Sequence, residues 1–174
     1  ALRRCQRRQR SPDYGSAMRP QRGAWAVVLA AGDGTRLASL TADAQGNAVP
    51  KQFCTLHGAD SLLQEALQRS RSIAPRDRQC VIVAERHRPY WQYLQWLLAE
   101  DNLIVQPRNR GTAHGILLSV LHILRRDPLA HVVFLPADHH VRDEPALARS
   151  LRQLAGQQAP EPLLLGIEPD EPDP

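Results

Sequence analysis

The sequence predicts a Rossmann-like α/β fold with three layers and a mostly parallel sheet. Short apolar runs rich in Val, Ile and Leu alternate along the chain with amphipathic stretches that carry apolar residues at helical spacing. The apolar runs show little alternation with polar residues, which is typical of parallel strands buried on both faces. A chain of 174 residues, of which 43% are hydrophobic, is long enough to bury one such core.

The segment before the first apolar run is predicted to be a basic, disordered tail. Its arginines are Arg3, Arg4, Arg7, Arg8, Arg10, Arg19 and Arg22. A nucleic-acid-binding arm is the alternative, but the arginine tract at residues 3–10 has no interleaved aromatic residues and no folded nucleic-acid-binding motif follows it, so a solvated extension is favoured. We therefore divide the chain into a tail at residues 1–23 and a folded portion at residues 24–174.

Five strands are predicted, each at an apolar run. They lie at residues 25–30, 80–84, 103–106, 132–135 and 163–167. Helices are predicted between them from their boundary signals. Ser61 and Gln64 match a capping box at the start of the first helix, and Pro89 suits the first turn of the second.

Each predicted helix is assigned an inward face from apolar residues that recur at helical spacing. In the first helix these residues are Leu62, Leu63, Ala66 and Leu67, and in the second they are Tyr90, Trp91, Leu94, Leu97 and Leu98. Thr112 is predicted to cap a third helix, whose inward residues would be Ala113, Ile116, Leu117, Val120 and Leu124. The last helix is marked by Leu147, Leu151 and Leu154.

Composition excludes several classes of protein. No apolar run approaches the length that spans a membrane, and the N-terminus lacks the pattern of a signal peptide. The three cysteines, Cys5, Cys54 and Cys80, are odd in number and have no metal-ligand spacing, which argues against a disulfide framework. We therefore expect a cytoplasmic protein that does not associate with membranes.

The first cluster of candidate functional residues follows the first strand and consists of Gly32, Gly34, Thr35 and Arg36, with Lys51 further along the chain. Glycines let backbone N–H groups approach phosphate oxygens closely, and the two cations would compensate the charge of a polyanion. The cluster lacks the lysine of a Walker motif and the third glycine of a dinucleotide-binding fingerprint. It is therefore interpreted as a phosphate site, with a simple tight turn as the alternative.

The second cluster, at residues 106–114, follows the third strand. Ligands collect at the carboxyl ends of parallel strands, so this loop is expected to face the same crevice as the first. The amide of Gln106 offers a donor and an acceptor that suit the edge of a nucleobase, and Gly111 lets the backbone approach a flat group. A polar turn with a helix cap at Thr112 would explain Gly111 and Thr112, but not Gln106.

The third cluster, Asp138, His139 and His140, follows the fourth strand. A lone carboxylate at this position suits Mg²⁺, which takes one or two carboxylates and completes its shell with water and phosphate oxygens. Zinc would need a third soft ligand at suitable spacing, so the histidines are interpreted as turn or supporting residues. Mg²⁺ is therefore the predicted cofactor, with Asp138 as its ligand.

Five motifs in this order resemble those of the sugar-phosphate nucleotidyltransferases, most closely the mannose-1-phosphate guanylyltransferases. They are L-A-A-G-D-G-T-R-L at residues 29–37, P-K-Q-F at 50–53, Q-P-R-N-R-G-T-A at 106–113, L-P-A-D-H at 135–139 and L-G-I-E-P at 165–169. The resemblance covers residues 24–169 and implies the three-layer, Rossmann-like nucleotidyltransferase fold.

The resemblance also implies a role for each matching residue. The backbone that would contact the nucleotide and its triphosphate includes Leu29, Ala30, Ala31, Gly32, Gly34 and Thr35. Arg36 would hold the departing pyrophosphate and Lys51 the phosphates near the reacting centre, both as catalytic residues. Gln106 and Gly111 would contact the base, with Thr112 grouped among the substrate-binding residues, and Asp138 would ligate Mg²⁺.

The implied reaction is attack by an oxygen of a sugar 1-phosphate on the α-phosphorus of a nucleoside triphosphate. The most similar members of the family imply GTP and mannose 1-phosphate as substrates, and GDP-mannose and pyrophosphate as products. A phosphate dianion is already a competent nucleophile, so positioning and charge neutralisation would suffice without a general base.

The chain also departs from the family's pattern. Ala38 and Ser39 replace the usual Trp-Pro after the first loop, and His114 stands where proline is common, so a nucleotidyltransferase for another base or sugar is one alternative. The family's fold continues past residue 169 with a sugar-binding half and a second metal carboxylate. The resemblance therefore implies a C-terminally truncated domain, and a non-catalytic nucleotide-binding or regulatory module is the second alternative.

Overall fold

Among the residues that the structure describes, four parallel strands form one sheet. The structure is a computed structural model and describes residues 23–34, 41, 48–56, 59–157 and 161–166. The strands are β1 (Ala24–Ala30), β2 (Gln79–Ala84), β3 (Leu103–Gln106) and β4 (His131–Pro136), in the spatial order β3-β2-β1-β4. The predicted α/β class and parallel sheet are confirmed.

The order of the strands reverses at β1. The chain builds outward from β1 through β2 to β3, and then crosses back so that β4 pairs with the other side of β1. Val28, near the centre of β1, lies opposite Val81 on one side and Leu135 on the other. Because the strands are parallel, their carboxyl ends meet at one edge, where an open α/β sheet forms its ligand crevice.

One face of the sheet packs against α1 (Leu62–Ser70) and two short helices, α2 (Arg88–Trp91) and α3 (Leu94–Leu97). The core on this face contains Val28, Ala30, Val81 and Val83 from the sheet, and Leu63, Ala66, Leu67, Trp91, Leu94 and Leu98 from the helical layer. Full burial stabilises each of the larger aliphatic side chains by about 1.5–3 kcal/mol. The last helix, α5 (Glu144–Ala155), contacts β4.

The starts of the first two helices follow the sequence signals. The Ser61 hydroxyl accepts a hydrogen bond from the Gln64 backbone N–H at 3.3 Å, and the Ser61 N–H donates to the Gln64 side chain at 2.8 Å, which completes the capping box. Pro89 lies in the first turn of α2. The predicted second helix is, however, two short helices. Trp91, Leu94 and Leu98 are buried as predicted, whereas Leu97 is 49% exposed rather than inward.

A further helix, α4 (Thr112–Leu124), covers the opposite face of the sheet, and its predicted inward face is wrong. The buried residues are Gly115, Ser119 and Ile123, whereas Leu117 is 56% exposed. Eight of the 13 residues of α4 are apolar and they spread over more than half of the helix circumference, so the sequence periodicity selects no single face. Small residues let the helix approach the sheet, and the Ser119 hydroxyl donates to the Gly115 carbonyl at 2.9 Å.

Two boundary predictions also need correction. Thr112 is the first residue of α4 rather than its cap, because the cap position is occupied by Gly111 and carries no side-chain hydrogen bond. Residues 161–166 form no strand, and Leu164 is 90% exposed, so the predicted fifth strand is absent from its described part. A strand needs a neighbour to pair with, which an apolar run cannot specify alone. Ile167 and residues 1–22 of the predicted tail lie outside the described residues.

No described helix combines the length and the apolar character needed to cross a membrane.

Candidate functional site

A cleft of about 310 Å³ opens at the carboxyl edge of the sheet, and all three predicted loops line it. The predicted site residues on its walls are Leu29, Ala30, Ala31, Gly32, Gly34, Lys51, Gln106, Gly111, Thr112 and Asp138. Thr35 and Arg36 lie outside the described residues. The fold therefore brings together loops that are separated by more than a hundred residues in the chain.

Two opposite charges face each other in this cleft. The ammonium nitrogen of Lys51 lies 3.4 Å from a carboxylate oxygen of Asp138. The side chain of Lys51 is 28% exposed and that of Asp138 is 45% exposed. An ion pair this exposed contributes little to folding stability, so both groups are available to exchange partners with a ligand.

Gln52 holds the loop after β1 in place, a role that the sequence pattern did not predict. It lies in a short 3₁₀ turn, Lys51–Phe53, and is 5% exposed. Its side-chain amide nitrogen donates to the backbone carbonyls of Ala30 and Gly32, each at 2.9 Å. The sequence offers one signal for this role of Gln52, which is its position directly after Lys51 in the P-K-Q-F motif. In that motif, the sequence-based prediction uses only the charge of Lys51.

The backbone conformation at position 34 and the space around it require glycine. Gly34 has φ +65°, and a Cβ atom there would lie 2.9 Å from the backbone nitrogen of Lys51. A side chain would therefore be strained by the conformation and would also collide with the turn that carries Lys51. An ion pair between Asp33 and Arg86 ties the same loop to the segment after β2.

Gln106 ends β3 with a buried and incompletely satisfied side chain. The residue is 4% exposed, and its amide oxygen Oε1 has no hydrogen-bond partner among the described residues. A Cβ atom on Gly115 would lie 3.4 Å from its amide nitrogen, so Gly115 leaves room for the amide. Leaving a buried acceptor unpaired costs about 1–3 kcal/mol, and a ligand that donates to this oxygen would recover that free energy.

The loop between Gln106 and α4 has an open inner surface. Gly111 has φ +90°, and no atom lies within 4 Å of the position that a Cβ atom would take. Its backbone N–H donates to the side-chain oxygen of Asn109 at 2.9 Å, which fixes the turn. The open space beside Gly111 is compatible with a flat group against the backbone.

Asp138 is the one carboxylate among the described residues that line the cleft. The described residues contain no group of three His, Cys, Asp or Glu side chains that could hold a metal ion. Asp138 alone can supply one oxygen ligand, which suits Mg²⁺ when phosphate oxygens and water complete its shell. His139 and His140 are exposed, and the backbone carbonyl of His139 accepts a hydrogen bond from Arg69 at 3.2 Å.

The two described cysteines lack the properties of reactive thiols. Burial raises the pKa of the Cys80 thiol to about 11 and also raises that of Cys54. Both side chains therefore remain protonated near neutral pH, and protonated thiols are poor nucleophiles and poor metal ligands. Cys5 lies outside the described residues.

The chain is similar to known proteins over most of its length. The family model for nucleotidyl transferases matches residues 25–174. A protein from Escherichia coli named mannose-1-phosphate guanylyltransferase is 34% identical over 153 residues, which cover 84% of this chain and 31% of that protein. The xanthan biosynthesis protein XanB of Xanthomonas campestris is 32% identical over 152 residues, with the same shares covered. The chain thus spans about a third of the length of these curated relatives.

A solved structure shares the fold. It is described as a mannose-1-phosphate geranyltransferase from Thermus thermophilus, and it superposes with a TM-score of 0.63 at 28% sequence identity. The superposition covers 75% of this chain and 36% of that one. With a family model that matches nearly all of the folded portion, the chain belongs to the nucleotidyl transferase family.

Proposed function

We propose that the protein transfers a nucleotidyl group from a nucleoside triphosphate to a sugar 1-phosphate, with GTP and mannose 1-phosphate as substrates. The observation that carries this proposal is the cleft at the carboxyl edge of the sheet. There Lys51 and Asp138 face each other 3.4 Å apart, and the buried amide oxygen of Gln106 lacks a partner among the described residues. These groups would complement a triphosphate, a divalent cation and a base within one cavity.

The base is proposed to bind between Gln106 and Gly111. An N–H group on the base edge would donate to the unpaired oxygen of Gln106, and the open backbone at Gly111 would admit the flat ring. The Watson–Crick edge of guanine carries such N–H donors. The names of the relatives favour guanine, whereas His114, which stands where proline is common in the family, keeps another base as an alternative.

The triphosphate is proposed to lie along the loop after β1. Its backbone at residues 29–35, including Thr35, would donate to phosphate oxygens, because the glycines at positions 32 and 34 let a phosphate approach the backbone closely. Lys51 would neutralise the phosphates near the reacting centre, and Arg36 the departing pyrophosphate. Gln52 would keep the loop in shape while the ligand binds.

The Asp138 carboxylate is the group that would hold Mg²⁺. One carboxylate on an exposed loop end is a suitable protein ligand for this ion, since phosphate oxygens and water supply the remaining positions. When bound, Mg²⁺ supplies positive charge beside the phosphates.

The chemistry then needs positioning more than proton transfer. An oxygen of the sugar phosphate would form a bond to the α-phosphorus while the bond from that phosphorus to the β-phosphate bridging oxygen breaks, and pyrophosphate leaves with the bonding electrons. The nucleophile is already an anion, so no side chain has to remove a proton. Lys51 would stabilise the negative charge in the transition state. These substrates also motivate our proposal of a cytoplasmic location.

A non-catalytic nucleotide-binding module is the second candidate, because the roles proposed for the cleft residues Lys51, Gln106, Gly111 and Asp138 all concern the nucleotide and its cation. Calorimetry with GTP, ATP, UTP and CTP, each with Mg²⁺, tests the shared nucleotide site, and GTP should bind most tightly. Pyrophosphate release that depends on mannose 1-phosphate, from a protein that carries this chain, would support transfer. Binding without such release would support the module, and no binding of any triphosphate would refute both.

A further inference from the structure

Arg69, near the end of α1, has a buried guanidinium group that joins two parts of the fold. Its side chain is 2% exposed. It donates three hydrogen bonds to the Glu144 carboxylate, at 2.7, 3.0 and 3.0 Å, and one to the backbone carbonyl of His139, at 3.2 Å. Glu144 begins α5, and His139 lies in the loop that precedes it.

Burying a guanidinium group to fill space in a core is energetically unfavourable. Removing a guanidinium group from water costs several kcal/mol, and a buried ion pair is often no more stabilising than apolar residues of the same size. What an apolar residue cannot supply is the planar fork of Arg69, which reaches a carboxylate and a carbonyl at once. The fork therefore fixes the geometry of the loop between β4 and α5.

Asp138 lies between two residues whose backbone groups are held by hydrogen bonds. The backbone N–H of Ala137 donates to the carbonyl of Leu29 at 3.2 Å, which ties one neighbour of Asp138 to β1. The carbonyl of His139 is held by Arg69, which ties the other neighbour to α1. With the backbone fixed on both sides, the carboxylate of Asp138 is directed toward Lys51 and the cleft.

We propose that Arg69 is a positioning residue, which acts through the backbone of His139 to hold the Asp138 carboxylate where a divalent cation bound to nucleotide can reach it. This inference rests on the proposed function. It predicts that the fork geometry of Arg69, and not only its charge, sets how strongly Mg²⁺ increases the affinity for nucleotide.

The test compares GTP affinity, measured by calorimetry, in Mg²⁺ and in EDTA. The ratio of the two affinities is the metal enhancement. Arg69→Lys keeps the buried charge but has no fork, and it should reduce the enhancement about tenfold while the affinity in EDTA stays within about twofold. Arg69→Met should also reduce the enhancement about tenfold. Circular dichroism shows whether this variant is folded.

A matched control comes from Arg152, which also joins α5 to the end of α1. It donates to the carbonyl of Ser72, in the turn after α1, at 3.2 Å, rather than to the carbonyl of His139. Arg152→Met should leave the metal enhancement unchanged. An equal loss in Arg152→Met and Arg69→Lys would mean that Arg69 only stabilises the packing of the two helices.

A double-substitution cycle then separates positioning from general damage. Asp138→Asn should abolish the enhancement, and adding Arg69→Lys to it should cause no further change if Arg69 acts through Asp138. A normal enhancement in Arg69→Lys alone, with the enhancement lost in Asp138→Asn, would overturn only the role of Arg69. An unsubstituted chain without any metal enhancement would overturn the metal assignment in the proposed function, and this inference with it.

Discussion

Lys51 and Asp138, which are 87 residues apart in the sequence, bring an ammonium nitrogen and a carboxylate oxygen to within 3.4 Å of each other. Each charge partly compensates the other in the cleft. A bound triphosphate would compete with Asp138 for Lys51, and a divalent cation would compete with Lys51 for Asp138. The pair therefore couples the binding of the two proposed ligands.

This coupling predicts that Asp138→Asn has different effects with and without Mg²⁺. In EDTA the substitution removes a negative charge next to the triphosphate and frees Lys51, so the affinity for GTP should stay equal or rise about two- to fivefold. In Mg²⁺ the variant lacks the proposed metal ligand, so it should bind more weakly than the unsubstituted chain. Isothermal titration calorimetry in both buffers measures the two effects.

Asp77 offers a control for this experiment. It is exposed and precedes β2, at the edge of the sheet opposite the cleft, so Asp77→Asn changes the net charge without touching the site. The control should bind GTP like the unsubstituted chain in both buffers. A loss of affinity in Asp138→Asn that is equally large in EDTA and in Mg²⁺ would contradict the metal assignment.

The two glycines of the first loop should respond differently to alanine. Gly34 has φ +65° and only 2.9 Å of clearance to the Lys51 nitrogen, so Gly34→Ala should lower the free energy of unfolding by about 1–2 kcal/mol and weaken triphosphate binding. A Cβ atom on Gly32 would meet nothing within 4 Å, so Gly32→Ala should change stability by less than about 0.5 kcal/mol. Urea denaturation measures both, and equal losses would mean that the loop is not held against Lys51.

Gln52→Ala should destabilise the fold through two lost hydrogen bonds. The carbonyls of Ala30 and Gly32 would each lose their amide donor, and we expect a loss of about 1–3 kcal/mol in the free energy of unfolding. Gln68 is a control because its amide makes one exposed hydrogen bond, to Asp60 at 2.6 Å. Gln68→Ala should cost less than about 0.5 kcal/mol by the same denaturation assay, and similar losses in both variants would argue against a special role for Gln52.

His87 should make stability depend on pH. It is buried, and burial, together with the nearby positive charge of Arg86, lowers its pKa below the ordinary value. The unfolded chain therefore binds a proton at a higher pH than the folded chain does. The contribution of His87 to stability is complete above the unfolded pKa of about 6.5 and is lost as the pH falls through the lower, folded pKa.

The corresponding measurement is the free energy of unfolding in urea at several pH values between about 5 and 7.5. The unsubstituted chain should lose stability toward the acidic end. In His87→Phe that slope should become smaller, whereas His139→Gln, which changes an exposed imidazole, should keep it. An unchanged slope in His87→Phe would show that other groups cause the acid sensitivity.

The sheet and the loops of the site were predictable because their signals are local. Continuous Val, Ile and Leu runs identified the four strands of the sheet, and parallel strands must place their following loops at one edge. The meeting of Gly34, Gln106 and Asp138 in one cleft follows from those two facts. The fifth such run forms no strand in its described part, because a strand also needs a neighbour to pair with. The strand order, with β1 between β2 and β4, has no such local signal, because it depends on which strands pair across the whole chain.

The predictions that failed concern features that depend on contacts with residues distant in the sequence. In α4, Gly115 and Ser119 face the sheet because close packing requires small residues there, but hydrophobicity scales give them little weight beside leucines. The roles of Gln52 and Arg69 come from carbonyls that are distant in sequence. Polar residues that bond to backbone leave no periodic pattern, so only the folded structure identifies their partners.

Gln106→Leu should separate stability from nucleotide recognition. Leucine is similar in size to glutamine and lacks the buried Oε1 atom that has no partner among the described residues, so the free energy of unfolding should stay equal or rise by about 1 kcal/mol. The proposed acceptor for the base is lost at the same time. The preference of the chain for GTP over the other triphosphates should therefore fall about tenfold or more in calorimetric titrations.

Gln106→Glu keeps an acceptor but adds a charge in the cleft, and it should both destabilise the fold and weaken binding of every triphosphate. A leucine variant that retains the full preference for one base would show that the base is recognised elsewhere, and a leucine variant that is strongly destabilised would show that Oε1 is satisfied in the folded protein.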